Sequence, residues 1–146
     1  MEIISIIERG IEVSSGDFHL IETELFLALQ SLKNKPDFVD VFLELSSWRG
    51  TSLRSGVWTY YEATDREQVE NVIRYLQRSS SEEVICKMYA LGNHNYSDEK
   101  YQSNYMYPDE WIEESGIIDK WIFENEECIT QYMQNLLRNN KGYFER

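Results

Sequence analysis

Apolar residues return at steps of three and four along most of this 146-residue chain, and that period constrains its fold more than any other feature. Phe18, Ile21, Leu25, Leu29 and Leu32 form one such stripe, and Phe38, Val41, Phe42 and Leu45 a second. Val69, Val72, Ile73 and Leu76 make a third, Val84, Ile85, Met88 and Leu91 a fourth, and Ile129, Tyr132, Met133, Leu136 and Leu137 a fifth. A helix brings a side chain back to one face every 3.6 residues, so each stripe marks a helix that must bury it against another. Alternating strand patterns are scarce. The expected fold is all-α, a multi-helix bundle with a Tyr-rich loop between a central helical hairpin and the C-terminal helices.

Local punctuation sets the expected boundaries. Ile3, Ile4, Ile6 and Ile7 form a short apolar cluster that fits a helix or a strand over residues 2–9, the helix being favoured, and Gly10 ends it. Asp17 is the candidate N-cap of the next helix, and Asn34-Lys35-Pro36 ends it. Residues 49–56, RGTSLRSG, read as a connector. Thr64 with Glu67 and Ser80 with Glu83 fit capping boxes, and Gly92 fits a left-handed stop after the hairpin. Residues 93–107 lack a period and carry Tyr96, Tyr101, Tyr105 and Tyr107, which suits a loop pinned by packed aromatics. Pro108 opens a short helix through Glu114, and a long last helix runs from Asn125 to Arg138. With two prolines and no linker-like stretch, residues 1–146 are expected to form one domain.

Charge narrows the function classes. The net charge is -12, yet 42% hydrophobic and 14% aromatic content is too apolar for a disordered chain. Phosphate binding relies on Lys and Arg, so direct contact with nucleic acid is disfavoured and basic partners are favoured. Residues 97–127 carry ten acids and two bases, whereas residues 49–96 balance six of each. The start of the sequence lacks a basic region and a long apolar run, which leads to the expectation of a cytoplasmic protein without a membrane span. Cys86 and Cys128 are expected as buried reduced thiols.

Chemistry is sparse. His19 and His94 have no His or Cys at metal-ligand spacing, no glycine-rich phosphate cradle or GxSxG turn occurs, and no metal or other cofactor is expected. His94 with Asp98 and Glu99 is the one grouping that suggests a hydrolase, and a solvated loop histidine is the simpler reading. Arg49, Arg54 and Arg66 flank Trp58, Tyr60 and Tyr61, but Glu62, Asp65 and Glu67 offset them, so core packing with surface ion pairs explains the run better than base stacking.

The stretch YPDEWIEESGIIDKWIFENEE, residues 107–127, is the densest concentration of charge. Acids in a first helical turn complement the helix dipole, which accounts for Asp109 and Glu110, and for Glu126 and Glu127 if Asn125 caps the last helix. The remainder exceeds what capping demands. The expected partner-binding residues are Asp98, Glu99, Asp109, Glu110, Glu113, Glu114, Asp119, Glu124, Glu126 and Glu127. Trp111 and Trp121 suit either core anchors for these acidic helices or interface hot spots.

The run from Ser55 to Gly92, followed by that from Ile117 to Phe144, resembles the all-helical DNA-mimic protein family first catalogued as a domain of unknown function. Gly56 with Trp58, Tyr60 and Tyr61 matches its opening element, Leu91-Gly92 the end of its hairpin, and Asp119, Trp121 and the helix through Leu137 its last element. Where the family shows Asn-Gly-Gly-aromatic, this chain has Arg54-Ser55-Gly56-Val57. The resemblance implies a non-enzymatic, all-α acidic protein, able to act as a homodimer, that occupies the DNA-binding surface of a protein partner such as a transcriptional regulator. An immunity protein that plugs a nuclease-like toxin is the nearest alternative, and a hydrolase or a purely structural domain are the others.

Overall fold

A computed structural model describes residues 2–79, 83–102 and 106–145. Among them lie nine α-helices: α1 Ile3–Glu12, α2 His19–Gln30, α3 Asp37–Ser55, α4 Val57–Ala63, α5 Arg66–Arg78, α6 Glu83–Leu91, α7 Glu99–Gln102, α8 Asp109–Glu124 and α9 Glu126–Asn139. Short 3-10 turns occupy Ser15–Asp17 and Lys141–Phe144. The chain is all-α, as the apolar period requires. Its contacts divide it into two compact units, residues 1–46 with 126–146, and residues 47–125, and α3 contributes to each.

In the first unit α1 packs on α2 and α9. Ile6, Ile7, Phe18, Ile21, Leu25 and Leu29 are buried, as are Ile129, Met133, Leu136 and Leu137 on α9. Gly10 does not end α1. The helix runs on to Glu12, and Gly10 is buried where an added Cβ would stand 2.8 Å from Leu25 Cδ1 and 3.3 Å from Leu137 Cδ1. The glycine is therefore a close-packing position rather than a stop. Gln134, also buried, donates from Nε2 to the Gly10 and Val13 carbonyls at 3.0 and 2.8 Å, satisfying acceptors at the end of α1. Asp17 is not an N-cap either, because it closes the 3-10 turn and Phe18 precedes α2 without a side-chain cap. Phe38 packs edge-on against Tyr143 and Phe144, which fastens the C-terminal turn to the start of α3.

The second unit is built on α5 against α6, with α8 packed on α4 and α6. Residues 49–55, expected as a connector, are helical, because α3 continues through them to Ser55. The reason lies in what the last turns carry: Trp48 is fully buried and Ser52, one turn on, is bonded to α8, so tertiary contacts override a weak local preference. The break comes at Gly56, whose φ of 101° is a backbone conformation that a side chain rarely adopts. Thr64 does not cap α5. Its hydroxyl donates to the Tyr60 carbonyl at 2.6 Å, finishing α4, while Asp65 accepts the Glu67 amide at 3.4 Å and starts α5. The capping box expected at Ser80 lies outside the described residues. Val69, Val72, Leu76, Ile85 and Tyr89 are buried, whereas Val84 is exposed.

Three buried hydrogen bonds among Trp48, Tyr60, Tyr61 and Tyr89 tie this core together. Trp48 Nε1 donates to Tyr61 Oη at 2.9 Å, Tyr61 Oη donates to the Tyr89 carbonyl at 2.6 Å, and the Tyr60 and Tyr89 hydroxyls meet at 2.5 Å. Each aromatic thus buries its ring and satisfies its polar end. Gly92 is not in a left-handed conformation; the positive-φ glycine among the described residues is Gly56. Gly92 is buried because a Cβ there would overlap Cε2 and Cζ of the Tyr61 ring. Cys86 and Cys128 are not joined in a disulfide and are half-buried rather than buried, and the Cys86 thiol is pushed up by its burial.

Two glycines within the second unit should respond in opposite ways. Gly92→Ala must displace Tyr61 and is expected to cost about 1–3 kcal/mol, as overpacked cores do. Gly50→Ala, inside α3 where an added Cβ meets nothing within 4 Å, is expected to stabilise by about 0.5–1 kcal/mol. Urea unfolding of both variants checks the pair, and a Gly92→Ala protein as stable as the parent would contradict the packing described.

Candidate interaction face on helix α8

The site is a helix held firmly from behind. Pro108 precedes α8 as its N-terminal flanking residue, so the helix begins at Asp109, and it does not stop at Glu114 as its sequence suggested. It continues through Ser115 and Gly116 to Glu124, where Asn125 ends it with its side-chain amide donating to the Trp121 carbonyl at 2.8 Å. The inward side explains the extension. Ile118 and Ile122 are fully buried, and Trp121 lies 6.5 Å from the Trp48 ring. Asp119 accepts the Ser52 hydroxyl at 2.6 Å and the Val57 amide at 2.8 Å on the same Oδ1. That carboxylate caps the first amide of α4, just after the Gly56 turn.

The first turns of α8 are held by the Tyr-rich loop. His94 stacks on Trp111 at 4.4 Å with the rings 4° apart, and His94 Nε2 lies 3.1 Å from Glu114 Oε1. Tyr96 and Tyr101 pack against Trp111 at 5.1 and 5.0 Å, and Tyr107 at 5.7 Å. Trp58 of α4 meets Tyr96 and Tyr107 edge-on at 5.1 and 5.2 Å. The loop is thus pinned by aromatics; Tyr105 lies outside the described residues. Trp111 and Trp121 are both half-buried and work as anchors that fasten α8 to the core.

The expected acidic residues separate into four groups. Asp109, Glu110, Glu113 and Glu124 are exposed on α8. Glu114 and Asp119 are half-buried and turned to His94 and Val57, so their charge is spent inside the unit. Asp98 accepts the Lys100 amide at 3.0 Å and starts α7, where Glu99 is exposed. Glu126 and Glu127 belong to α9 in the other unit, and Glu127 accepts from Ser15 at 3.1 Å and Gln131 at 3.3 Å. The outward carboxylates brought onto one element are therefore the four on α8.

What the charge pattern did not indicate is that large apolar side chains share that face. Ile112 is 58% exposed, Ile117 51% and Phe123 73%. At about 100° per residue, Ile112, Gly116 and Phe123 fall within an arc of about 40°, with Asp109, Lys120, Glu113 and Glu124 beside them and Ile117 and Glu110 beyond. A sequence signal for this exists: Trp111-Ile112, Ile117-Ile118 and Ile122-Phe123 are adjacent apolar pairs, whose members stand about 100° apart on a helix, a wider arc than a narrow buried stripe covers. One member of each pair is left outside.

A cavity of about 360 Å³ opens between the α4–α5 junction and residues 94–97, lined by Glu62, Asp65, Arg66, His94 and Tyr96 among others. Asp98 and Glu99 do not line it, and His94 is directed to Glu114, so the catalytic grouping suggested by the sequence is not assembled there. Arg49 is buried, and Arg66 pairs with Glu70 at 3.4 Å, which accords with packing and ion pairs rather than a basic stacking surface. Among the described residues no group of three or more His, Cys, Asp or Glu is placed to hold a metal, and no helix is long and apolar enough to cross a membrane. No family model, curated protein or solved structure matches the chain.

Two measurements test how α8 is held. Asp119→Ala leaves the Val57 amide and the Ser52 hydroxyl without their acceptor and is expected to cost about 2–3 kcal/mol in denaturant unfolding, with Asp119→Asn costing less because it keeps an Oδ1. The Tyr96 phenol is held above its ordinary range, chiefly by burial and then by the Glu114 and Glu62 carboxylates, and Tyr61 is raised by burial and by neighbouring Tyr89. The folded chain keeps these protons after the unfolded chain has lost them, so their contribution is complete below the unfolded value near about pH 10 and is lost as pH rises above it. Melting temperature should fall as the pH passes about 10, with Tyr61 and Tyr96 among the tyrosines whose phenolate absorbance appears only on unfolding.

Proposed function

We propose that this chain is a non-enzymatic, acidic protein-binding module that engages a basic surface of another protein through the outward face of α8. The observation that carries the reading is the coexistence there of four exposed carboxylates with three exposed large apolar side chains on a helix anchored by Trp111, Asp119 and Trp121. Isolated surface apolar residues need no explanation, but several on one helical face, bordered by charge, are the usual composition of a contact surface. The acids steer a cationic partner and set its orientation, and the apolar side chains supply burial once it arrives.

A basic DNA-binding protein, such as a transcriptional regulator, or a nuclease-like toxin fits this chemistry, and it is the partner class that the DNA-mimic resemblance implies. Magnitude limits how far the mimicry goes on α8 alone. The helix is about 24 Å long, a length over which duplex DNA carries about 14 phosphate charges. Four outward carboxylates and one lysine fall well short of that field. A protein that reads phosphates would have to draw on acids beyond α8, whereas a protein contact of mixed character needs only what this face offers.

Capture of partners from cell extract at low salt, elution with a salt step and remeasurement with the purified partner tests the proposal. Glu110, Glu113 and Glu124 changed together to Gln should weaken binding about tenfold at low ionic strength, from exposed pairs worth about 0.2–1 kcal/mol each, with the difference shrinking as salt is added. Affinity indifferent both to salt and to the three substitutions would reject it.

A further inference from the structure

The apolar part of the α8 face defines its partner more narrowly than charge does. Ile112, Gly116 and Phe123 form a row parallel to the helix axis, about 16 Å from end to end. Ile112 and Phe123 are two of the most exposed large apolar side chains among the described residues. Gly116 lies between them, exposed, and an added Cβ there would meet nothing within 4 Å. A glycine in an exposed helix interior costs about 1 kcal/mol relative to alanine, and no neighbour within the fold requires it. Its effect is a notch between two apolar ridges, which lets another backbone come close.

A row that spans about three turns, with a gap in the middle, matches the surface of a second helix lying alongside, whose own apolar stripe has the same period. Charge then selects among helices. Asp109, Glu113 and Glu124 lie along one side of the row, with Lys120 the one cation among them. A second copy of this chain would bring like charges together, and an anionic lipid surface would be repelled in the same way. We infer that the outward face of α8 receives a cationic amphipathic helix presented by another protein, with its apolar side on the Ile112–Gly116–Phe123 row and its lysines or arginines against Asp109, Glu113 and Glu124. This rests on the protein-binding reading of α8 and adds the shape and pattern of what binds.

The test uses the full chain and two synthetic peptides of one composition: a Leu/Lys peptide patterned to form an amphipathic helix, and a scrambled peptide with no apolar stripe. Calorimetry or tryptophan fluorescence should show the patterned peptide binding at least about tenfold more tightly, a difference of about 1.4 kcal/mol. Ile112→Ser with Phe123→Ser, at exposed positions where the fold loses little, should abolish that preference while leaving the weaker, salt-sensitive binding of both peptides. Glu113→Gln with Glu124→Gln should weaken both. Circular dichroism of each variant confirms that the helices persist. Equal, salt-sensitive affinity for the two peptides overturns the helix proposal and leaves the acidic-module reading standing. Binding of neither peptide overturns both, and self-association that Ile112→Ser with Phe123→Ser dissolves assigns the face to a second copy instead.

Discussion

The Asp119 carboxylate decides how α8 is turned. By accepting the Ser52 hydroxyl and the Val57 amide, it joins the end of α3 and the start of α4 to α8 across the Gly56 turn. An amide at a helix N-terminus has no partner in its own helix, and a carboxylate is its strongest acceptor. With Asp119 fixed inward, Ile118 and Ile122 are also fixed inward, and Trp111 and Trp121 fall against the aromatic core. The same rotation leaves Ile112, Ile117 and Phe123 in water. The candidate face is thus a consequence of how the opposite side of α8 is bonded.

This arrangement separates two roles that look alike in the sequence. Asp119 and Glu114 are internal struts: one caps α4 and the other holds His94 against Trp111. Asp109, Glu110, Glu113 and Glu124 have no such duty in the hydrogen bonds described and remain available to set the electrostatic character of the surface. A rigid backing matters to a binding face because side chains already ordered lose less entropy on association. The aromatic packing around Trp111 and the Trp48–Tyr61–Tyr89 relay supply that rigidity to the second unit.

Most helices were legible in the period, but α7 forms inside the segment expected as a loop, and helix limits were not legible. The stripes around Leu25, Phe42, Val72 and Met133 are largely buried as their spacing implied, because burial of one apolar side is a property of the local period. Of Val84, Ile85, Met88 and Leu91, by contrast, only Ile85 is buried. Residues 49–55 and 115–124 were misread because Gly, Ser and Thr lower helix propensity there, and the contacts that restore it, Trp48 on Tyr61 and Ser52 on Asp119, join residues far apart in sequence. Gly10 and Gly92 looked like stops. Their real role is to admit Leu25 and Tyr61, which no local pattern shows.

The sequence by itself determined that this chain is helical, which stripes it buries, and that its charge is concentrated in and around the segment that becomes α8. Those follow from periodicity and composition, which are local and additive. Only the tertiary structure decided which carboxylates are struts and which are outward, and that apolar side chains stand among the outward ones. A helix with apolar residues on two sides can bury either side, and the choice falls to the partners that the rest of the fold brings to it.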